Sequence, residues 1–580
     1  VDARGLRPCA AGASELIPLR LGAQRAEIGP LLEIGGEMRT LPDRHAQVTV
    51  RGAGALDAAW PDGVRAQLRI RADGRAHRVD CSVSSERGMV LGAIGVRVLG
   101  LTATRMLVDG FHSWEWAGVR DAGIGGRGWW GGIWGDPGGA QVSVSLQAPP
   151  RLGPLLLRWN AGSSIGAMSV GAPDQLRQAT APPPLLGLRL DAGATVSGDP
   201  IRIGLLDRRS PWGAGLPRLR PADHRPAPRT AGWMSWNCLG PFVSAADVVE
   251  AARSLVPAGG VALLDDGWMP RWGDWWERDD FDAELAALAD ILHGMRRRLG
   301  VWVAPFLVDP ESHTASQRPE LLLRDADGRH VMAARAPRPQ HVLDASLPTA
   351  RAHLAALGRR LGRLGADAVK LDFLYAGALP GRRSHGISDI AALRAGVAAL
   401  VGAYRRAAPR GAGVLGCGAP AAPLVGLLDS CRSGEDAVLN IPNRDVEPPP
   451  RPWYLHGDAV LRAQARNLAA RAWLWGATVP PDVDAVTLAA VGDTPAPTPS
   501  SSRTWLQLAA RSGGPLLDGD VPDGRVAAAS LRMLRRAQAS VMGSAPRPVR
   551  GGDALSGSAV TEDDTTFLDW PAQLPEGALD

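Results

Sequence analysis

The residues best suited to chemistry in this chain are carboxylates that close short apolar runs. Asp265 and Asp266 follow "VALL", Asp372 follows "AVKL", and Asp436 closes "CRSGED". Two carboxylates on facing strands are what retaining hydrolysis of a glycosidic bond requires. One attacks the anomeric carbon; the other protonates the leaving oxygen and then activates water. A nucleophile of this kind must be ionised, and Lys370, two residues before Asp372, shares its face on an extended strand. Lys370 is the only lysine in a chain that otherwise carries 63 arginines. A compact ammonium and a planar guanidinium do not exchange at a tight site, so its retention beside Asp372 points to a specific fit. Asp436 is the candidate acid/base. Arg432, four residues earlier, either binds sugar hydroxyls or pins that loop.

Asp265 and Asp266 can chelate a metal or bracket the hydroxyls of a sugar. A metal needs further ligands nearby. Only His293 and His313 come close in sequence, neither at a supporting spacing, so the sugar reading is preferred and no metal or cofactor is expected. Eight of the 20 tryptophans fall between Trp212 and Trp302. Indole faces beside carboxylates suit the C–H faces of a pyranose. Each feature also has a plain reading: an aspartate at a strand end as a helix N-cap, a tryptophan in the core, an arginine at the surface. The coincidence across six strand ends favours a site: Trp236-Asn237, Asp265 to Trp268, Trp302 then Asp309, Lys370 to Asp372, Cys417-Gly418, and Arg432 to Asp436.

The elements that must position these residues follow from periodicity. Residues 1–225 carry short alternating stretches such as "AQVTVRG", "RAQLRIRAD" and "QVSVSLQAP", broken by Gly, Pro and Asp. That pattern predicts an N-terminal antiparallel β-sandwich. "RPADHRPAPRT" reads as a linker. Beyond it, apolar runs ("GWMSWN", "VALLDDGW", "LGVWVAPFLV", "DAVKLDFL", "GVLGCG") alternate with helical stretches ("SAADVVEAARSLV", "DAELAALADILHGMRRRLG", "PTARAHLAALGRRLGRLG", "DIAALRAGVAALVGAYRRA"). The run continues through "GLLDSCRSGED", "RAWLWGATV" and "GGPLLDGD". Fully apolar strands between helices indicate buried parallel strands. About eight such units predict a central (β/α)8 TIM barrel over 226–525, with its chemistry at the C-terminal strand ends. The remainder, 526–580, is expected to form a small C-terminal β domain capping the barrel.

Composition sets the outer limits. The 580 residues, 45% hydrophobic and 21% charged, are ordinary for a multidomain globular chain. The net charge of +5 permits nucleic-acid binding, but the basic residues are scattered without a stripe or motif, so no nucleic-acid partner is expected. Five cysteines lack metal-ligand spacing and are odd in number, which fits a reducing compartment. The first residues lack a basic-then-apolar leader, and no apolar run reaches 18 residues. The expectation is a soluble cytoplasmic protein without membrane contact; homo-oligomer formation stays open.

In order and spacing, "GWMSWN", "LLDDGW…GDWW", "GVWVAPF", "KLDFLYAGALPGRR", "LGCGAPAAPLVGLLD" and "CRSGED" resemble the barrel of glycoside hydrolase family 36, the melibiase-type α-galactosidases of clan D. The resemblance is strong over roughly 230–440 and extends, as a sandwich–barrel–cap layout, over the whole chain. It implies hydrolysis of terminal α-D-galactosyl residues from oligosaccharides, with Asp372 as nucleophile and Asp436 as acid/base. It further implies that Asp265 and Asp266 bind the 4- and 6-hydroxyls. Lys370, Cys417 and Arg432 would line the pocket, Trp302 and Trp236 would wall it, and Trp114 of "FHSWEW" would be lent by the sandwich. Departures gather on the acid side. Asn237 stands where close relatives often carry Tyr, and Glu435 precedes Asp436 where they often carry Pro. "AVLNIPNRDVEPPPRPW" lacks the usual Thr-Ala-Pro-x-Trp, and "WLWGATVPPDVD" replaces an Asn-Asp-Pro-Asp turn. These leave room for a relative acting on N-acetylgalactosaminides or β-L-arabinopyranosides, for a transglycosidase, and for a sugar-binding homologue without catalysis.

Overall fold

The computed structural model describes residues 15–21, 24–51, 54–101, 103–123, 125–135, 141–160, 164–170, 188–206, 229–333, 338–384, 386–408, 412–437, 458–471, 479–490 and 496–543. The linker proposed at 220–230 lies almost wholly outside them. Among the described residues, the first part, from Ile17 to Leu205, holds 17 strands joined by antiparallel pairings. Strand Val64–Asp73 shows why: Val64, Ala66 and Leu68 are buried while Arg65, Gln67 and Arg69 are exposed, the two-residue period of a strand with one wet face. It pairs with Ala76–Ser85 across a two-residue turn opened by Gly74 at φ +60°, a conformation that glycine adopts without steric cost.

The second part is a ring of short parallel strands: β1 (Ala231–Met234), β2 (Val261–Leu264), β3 (Arg298–Val303), β4 (Ala368–Leu371), β5 (Gly413–Gly416), β6 (Ser430–Arg432), β7 (Pro481–Asp482) and β8 (Leu516–Asp518). Parallel ladders join them in the order β7-β6-β5-β4-β3-β2-β1-β8. Between β8 and β7 the Gly514 amide donates to Pro481 O at 3.1 Å and the Val486 amide to Leu517 O at 2.8 Å, so the barrel is nearly closed. Its strands are buried on both sides, as "VALL" of β2 is at all four positions. This is why they read as unbroken apolar runs rather than alternating ones.

Helices Ala245–Ser254, Leu285–Gly294, Pro348–Arg363, Asp389–Ala407, Asp458–Arg471, Pro499–Ser512 and Ala528–Val541 follow strands in turn, while β5 reaches β6 through the short 3-10 turn Ala422–Leu424. Local sequence sets their starts. Ser244 and Asp247 form a reciprocal capping box, with bonds of 3.2 and 2.9 Å, satisfying two otherwise orphaned amides.

Two expectations need correction. The segment assigned to a C-terminal β domain is, where described, the helix Ala528–Val541, which buries Leu534, Ala537, Gln538 and Val541. Its Gln538 amide donates to Gly232 O at 3.4 Å and Leu255 O at 3.3 Å. The 534/537/541 spacing is that of one helical face, so the barrel boundary expected at 525 falls before the barrel's last helix; residues 544–580 lie outside the described part. The strand expected at "RAWLWGATV" lies almost wholly outside the described residues. Arg471 ends a helix, 472–478 are outside the described residues, and β7 is the two-residue pair 481–482. Finally, the helix expected to run through "RRRLG" stops at Gly294, and Arg298 opens β3. Among the described residues no helix is long and apolar enough to cross a membrane.

Candidate active site

The residues singled out from the sequence converge on the C-terminal end of the barrel. Lys370 on β4 is 2% exposed. Its long stem carries Nζ past β3 to Asp265 at the end of β2, where it donates to Oδ2 at 2.8 Å. Asp372, expected to be its closest partner, is farther away at 3.9 Å. The ammonium therefore sits between two buried carboxylates. Burial acts to lower its pKa, but Asp265 and Asp372 outweigh burial and hold it above the usual lysine value.

Asp372 is fixed from both sides. Its Oδ1 accepts from the Phe373 amide at 2.7 Å and its Oδ2 from the Trp302 indole at 2.9 Å. Its own amide donates to Val303 O on β3 at 2.9 Å. Phe373, next in the chain, has φ +50°, a left-handed backbone costly for a bulky residue and retained where surroundings over-determine it. That turn presents the Asp372 carboxylate to the barrel mouth and lays the Phe373 ring between Trp114 and Trp272, at centroid distances of 5.0 and 5.1 Å.

Asp265 is buried, one oxygen on Lys370 and the other accepting from the Asp266 amide at 3.0 Å. Its own amide donates to Ser235 Oγ at 3.0 Å, which ties it to the end of β1 beside Trp236 and Asn237. Asp266 is more open and accepts from the Trp272 indole at 3.0 Å. Burial pushes the Asp266 carboxyl up to about 7, assisted by neighbouring Asp265. Burial likewise raises Asp265, against the pull of Lys370.

On the facing side, Arg432 at the end of β6 is 1% exposed and binds three carboxylates: Asp436 at 2.8 Å, Asp482 at 3.3 Å and Asp484 at 2.5 Å. Asp436 is the most accessible of the three, its side chain 28% exposed against 1% or less for the others. Burial pushes Asp484 up to about 6, opposed by Arg432. Asp484 also accepts from the Ala437 amide at 2.7 Å, and Ser433 Oγ donates to Asp482 O at 2.8 Å. The Asp436 loop is thus anchored on the end of β7.

Cys417, at the end of β5, lies within electrostatic reach of Asp372, Arg432, Lys370 and Asp436, and burial pushes its thiol well above the ordinary range. It joins the two halves of the site. The Trp114 indole, from the antiparallel first part of the chain, donates to Cys417 Sγ at 3.3 Å. Gly418, at φ +55°, makes room for that ring: a Cβ there would meet it at 3.0 Å.

Trp302 differs from the wall expected of it. It is 2% exposed, its N–H engages Asp372, and its ring packs on Trp272 and Trp275 at 5.4 and 6.2 Å. Trp272 takes the position between Asp266 and Phe373. Sequence reasoning did not single out Trp272, Asp482, Asp484 or Arg471. For Asp482 and Asp484 the signal was the "PDVD" strand end; Trp272 stood unmarked in a tryptophan cluster, and nothing distinguished Arg471 among 63 arginines. His293 belongs elsewhere, paired with Asp367 at 2.8 Å just before β4 begins.

Six carboxylates (Asp265, Asp266, Asp372, Asp436, Asp482, Asp484) therefore face two cations, Lys370 and Arg432. Carboxylates outnumber cations there, a balance that disfavours an anion and suits a neutral ligand rich in hydroxyl donors. No family model matches the sequence. The fold is similar to that of solved glycosidases. TtGalA, an α-galactosidase from Thermus thermophilus in complex with p-nitrophenyl α-D-galactopyranoside, aligns with a TM-score of 0.59 at 23% identity, over 85% of this chain and 94% of that one. The GH36 α-galactosidase AgaA from Geobacillus stearothermophilus aligns at 0.57 and 13% identity, over 92% and 72%. The α-galactosidase from Lactobacillus brevis aligns at 0.56 and 13%, also over 92% and 72%.

Proposed function

We propose that the protein is a family 36 glycoside hydrolase, a retaining exo-α-galactosidase acting on terminal α-D-galactosyl residues of oligosaccharides. The observation that carries this reading is the pairing of two unlike carboxylate settings across one barrel mouth. Asp372 is immobilised by three donors or cations, and the more open Asp436 is held by Arg432. The fold shared with solved α-galactosidases, one of them holding p-nitrophenyl α-D-galactopyranoside and also solved with stachyose, supports the same substrate class.

In this reading an Asp372 oxygen attacks the anomeric carbon as the glycosidic C–O bond breaks, and the leaving oxygen takes the proton of Asp436. The covalent galactosyl ester is then cleaved when Asp436 removes a proton from water, which attacks the same carbon and releases Asp372. Trp302 and the Phe373 amide hold the attacking carboxylate in line. Lys370 balances its charge and that of Asp265. Asp265 and Asp266 accept hydrogen bonds from the 4- and 6-hydroxyls, and Trp114, Trp236 and Trp272 border the ring. No cofactor takes part.

The test is hydrolysis of p-nitrophenyl α-D-galactopyranoside with the anomer of the released galactose followed by NMR, wild type beside Asp372→Asn. Release with retention, abolished in the variant, is expected. Inversion, or an Asp372→Asn variant as active as wild type, would remove Asp372 from the role. Inactivity on this substrate alongside turnover of the matching N-acetylgalactosaminide or β-L-arabinopyranoside would move the substrate within galacto-configured sugars. Binding of galactose without turnover of any of them would favour a sugar-binding protein.

A further inference from the structure

Arg471 ends the helix Asp458–Arg471 and is completely buried. A guanidinium has five N–H donors in a fixed plane, and here all of them are engaged. Nε donates to Asp109 Oδ1 at 3.0 Å. One Nη1 bond goes to Ser113 O at 2.7 Å and the other to Ser433 O. The two Nη2 bonds go to His112 O at 3.2 Å and Glu115 O at 2.7 Å. Three of these acceptors, His112, Ser113 and Glu115, belong to the loop that carries Trp114, and Asp109 ends the strand Arg105–Asp109 that leads into it. The fifth, Ser433, lies between Arg432 and Asp436.

The same helix reinforces the contact. Asn467 Oδ1 accepts from the Ala117 amide at 3.1 Å, the Arg466 guanidinium lies 5.4 Å from the centroid of the Trp116 ring, and Gln464 donates to Glu435 O at 2.6 Å. On the far side of the loop, Ser113 and Ala419 exchange bonds of 2.9 and 3.1 Å at the end of β5. A carbonyl cluster buried this deeply needs its donors, because an unmet acceptor costs about 1–3 kcal/mol.

The geometry points to Arg471 as a positioning residue that sets the register between the Trp114 loop and the Arg432–Asp436 loop, and so fixes the width of the pocket between its tryptophan wall and its acid/base. It does not touch the sugar; it acts through Trp114 and the Asp436 loop. Lysine cannot replace it, since three donors on a flexible stem do not span five acceptors in one plane. The kinetic part of this inference rests on the galactosidase reading; the structural part does not.

The experiment compares wild type, Arg471→Lys, Trp114→Ala and the double variant. On p-nitrophenyl α-D-galactopyranoside, Arg471→Lys is expected to lower kcat/KM by about 100-fold, the scale of a ~1 Å misplacement, with most of the loss in KM. In the Trp114→Ala background the same change should raise KM by no more than about threefold, because coupled residues lose their effects together. Amide hydrogen exchange over 110–117 and 433–437 gives a readout independent of activity: both segments should lose protection together in Arg471→Lys while helix 389–407 keeps its own. Unchanged exchange in the two segments, or KM effects that add fully in the double variant, would overturn the proposal. Were wild type inactive on the galactoside, the galactosidase reading would fail and the exchange comparison alone would decide the role of Arg471. If Arg471→Lys does not fold, Asp109→Asn weakens one of the five bonds and should show the same paired loss of protection to a lesser degree; its absence there counts equally against the proposal.

Discussion

Replacing Lys370 by methionine keeps the length of the stem and removes the ammonium, with its charge and its hydrogen bond to Asp265. The ammonium lies 2.8 Å from Asp265 and 3.9 Å from Asp372. At an effective dielectric of about 20, the two attractions are worth about 6 and about 4 kcal/mol. Most of that gross figure offsets the cost of burying three charges. Removing one partner and leaving the others buried costs about 3–5 kcal/mol. Lys370→Met is therefore expected to lose about 3–5 kcal/mol in the urea-induced unfolding step reported by barrel tryptophan fluorescence at pH 8. The sign with pH follows from Asp265. Burial already raises its pKa in the folded state, and losing the cation raises it further. A carboxyl raised by folding favours the folded state at low pH and loses that contribution as pH rises, so the deficit should be smaller at pH 5 than at pH 8. Geometry also ranks the partners: adding Asp265→Asn should restore more stability than adding Asp372→Asn. A loss below about 1 kcal/mol at pH 8, where a buried pair should cost several, would refute the reasoning. So would a rescue by Asp372→Asn at least as large as that by Asp265→Asn.

Lys370→Arg, which keeps the charge but not the shape, should lower kcat/KM by at least about 100-fold, as a ~1 Å displacement of the facing carboxylates would; near-wild-type turnover would sink the idea that the compact ammonium is required. Asp436→Ala should slow release of an alcohol leaving group from melibiose or raffinose by about 10²–10⁴-fold, the range of general acid catalysis. It should slow p-nitrophenolate release far less, and equal losses on both substrates would assign the proton transfer elsewhere. With its pKa pushed up to about 7 by burial, Asp266 ionises as pH rises through neutrality. KM for the galactoside should therefore fall between pH 6 and 8, and Asp266→Asn should flatten that slope; an unchanged slope would mean another group titrates.

Much of the site was legible because parallel barrel strands, buried on both faces, leave unbroken apolar runs whose polar ends stand out. Asp265, Lys370, Asp372 and Arg432 were found by that punctuation. Partnerships were harder to read. The two-residue spacing of Lys370 and Asp372 on one strand suggested the closest ion pair, whereas a lysine stem crosses a barrel mouth easily and meets Asp265 across β3. Asp482 and Asp484 lie some 50 residues after Arg432, in and just beyond a two-residue strand too short to give a periodic signal. The last helix was read as part of a small β cap only because 526–580 is short, and its 534/537/541 apolar spacing, the period of a helix face, was the signal that shortness hid. Arg471 carried no local signal at all, since four of its five acceptors lie more than 350 residues earlier in the chain.

The burial of Lys370 between Asp265 and Asp372 has a use beyond stability. In a chain with one lysine, isotopic labelling of that amino acid alone places a single side-chain nitrogen signal at the centre of the pocket, with no assignment problem to solve. Its chemical shift and proton exchange would report the charge state of the surrounding carboxylates directly, through ligand binding and formation of a covalent sugar ester. The same scarcity protects it: amine-directed reagents or surfaces applied to the native protein would find no exposed lysine to modify, leaving the pocket untouched while the reporter is read.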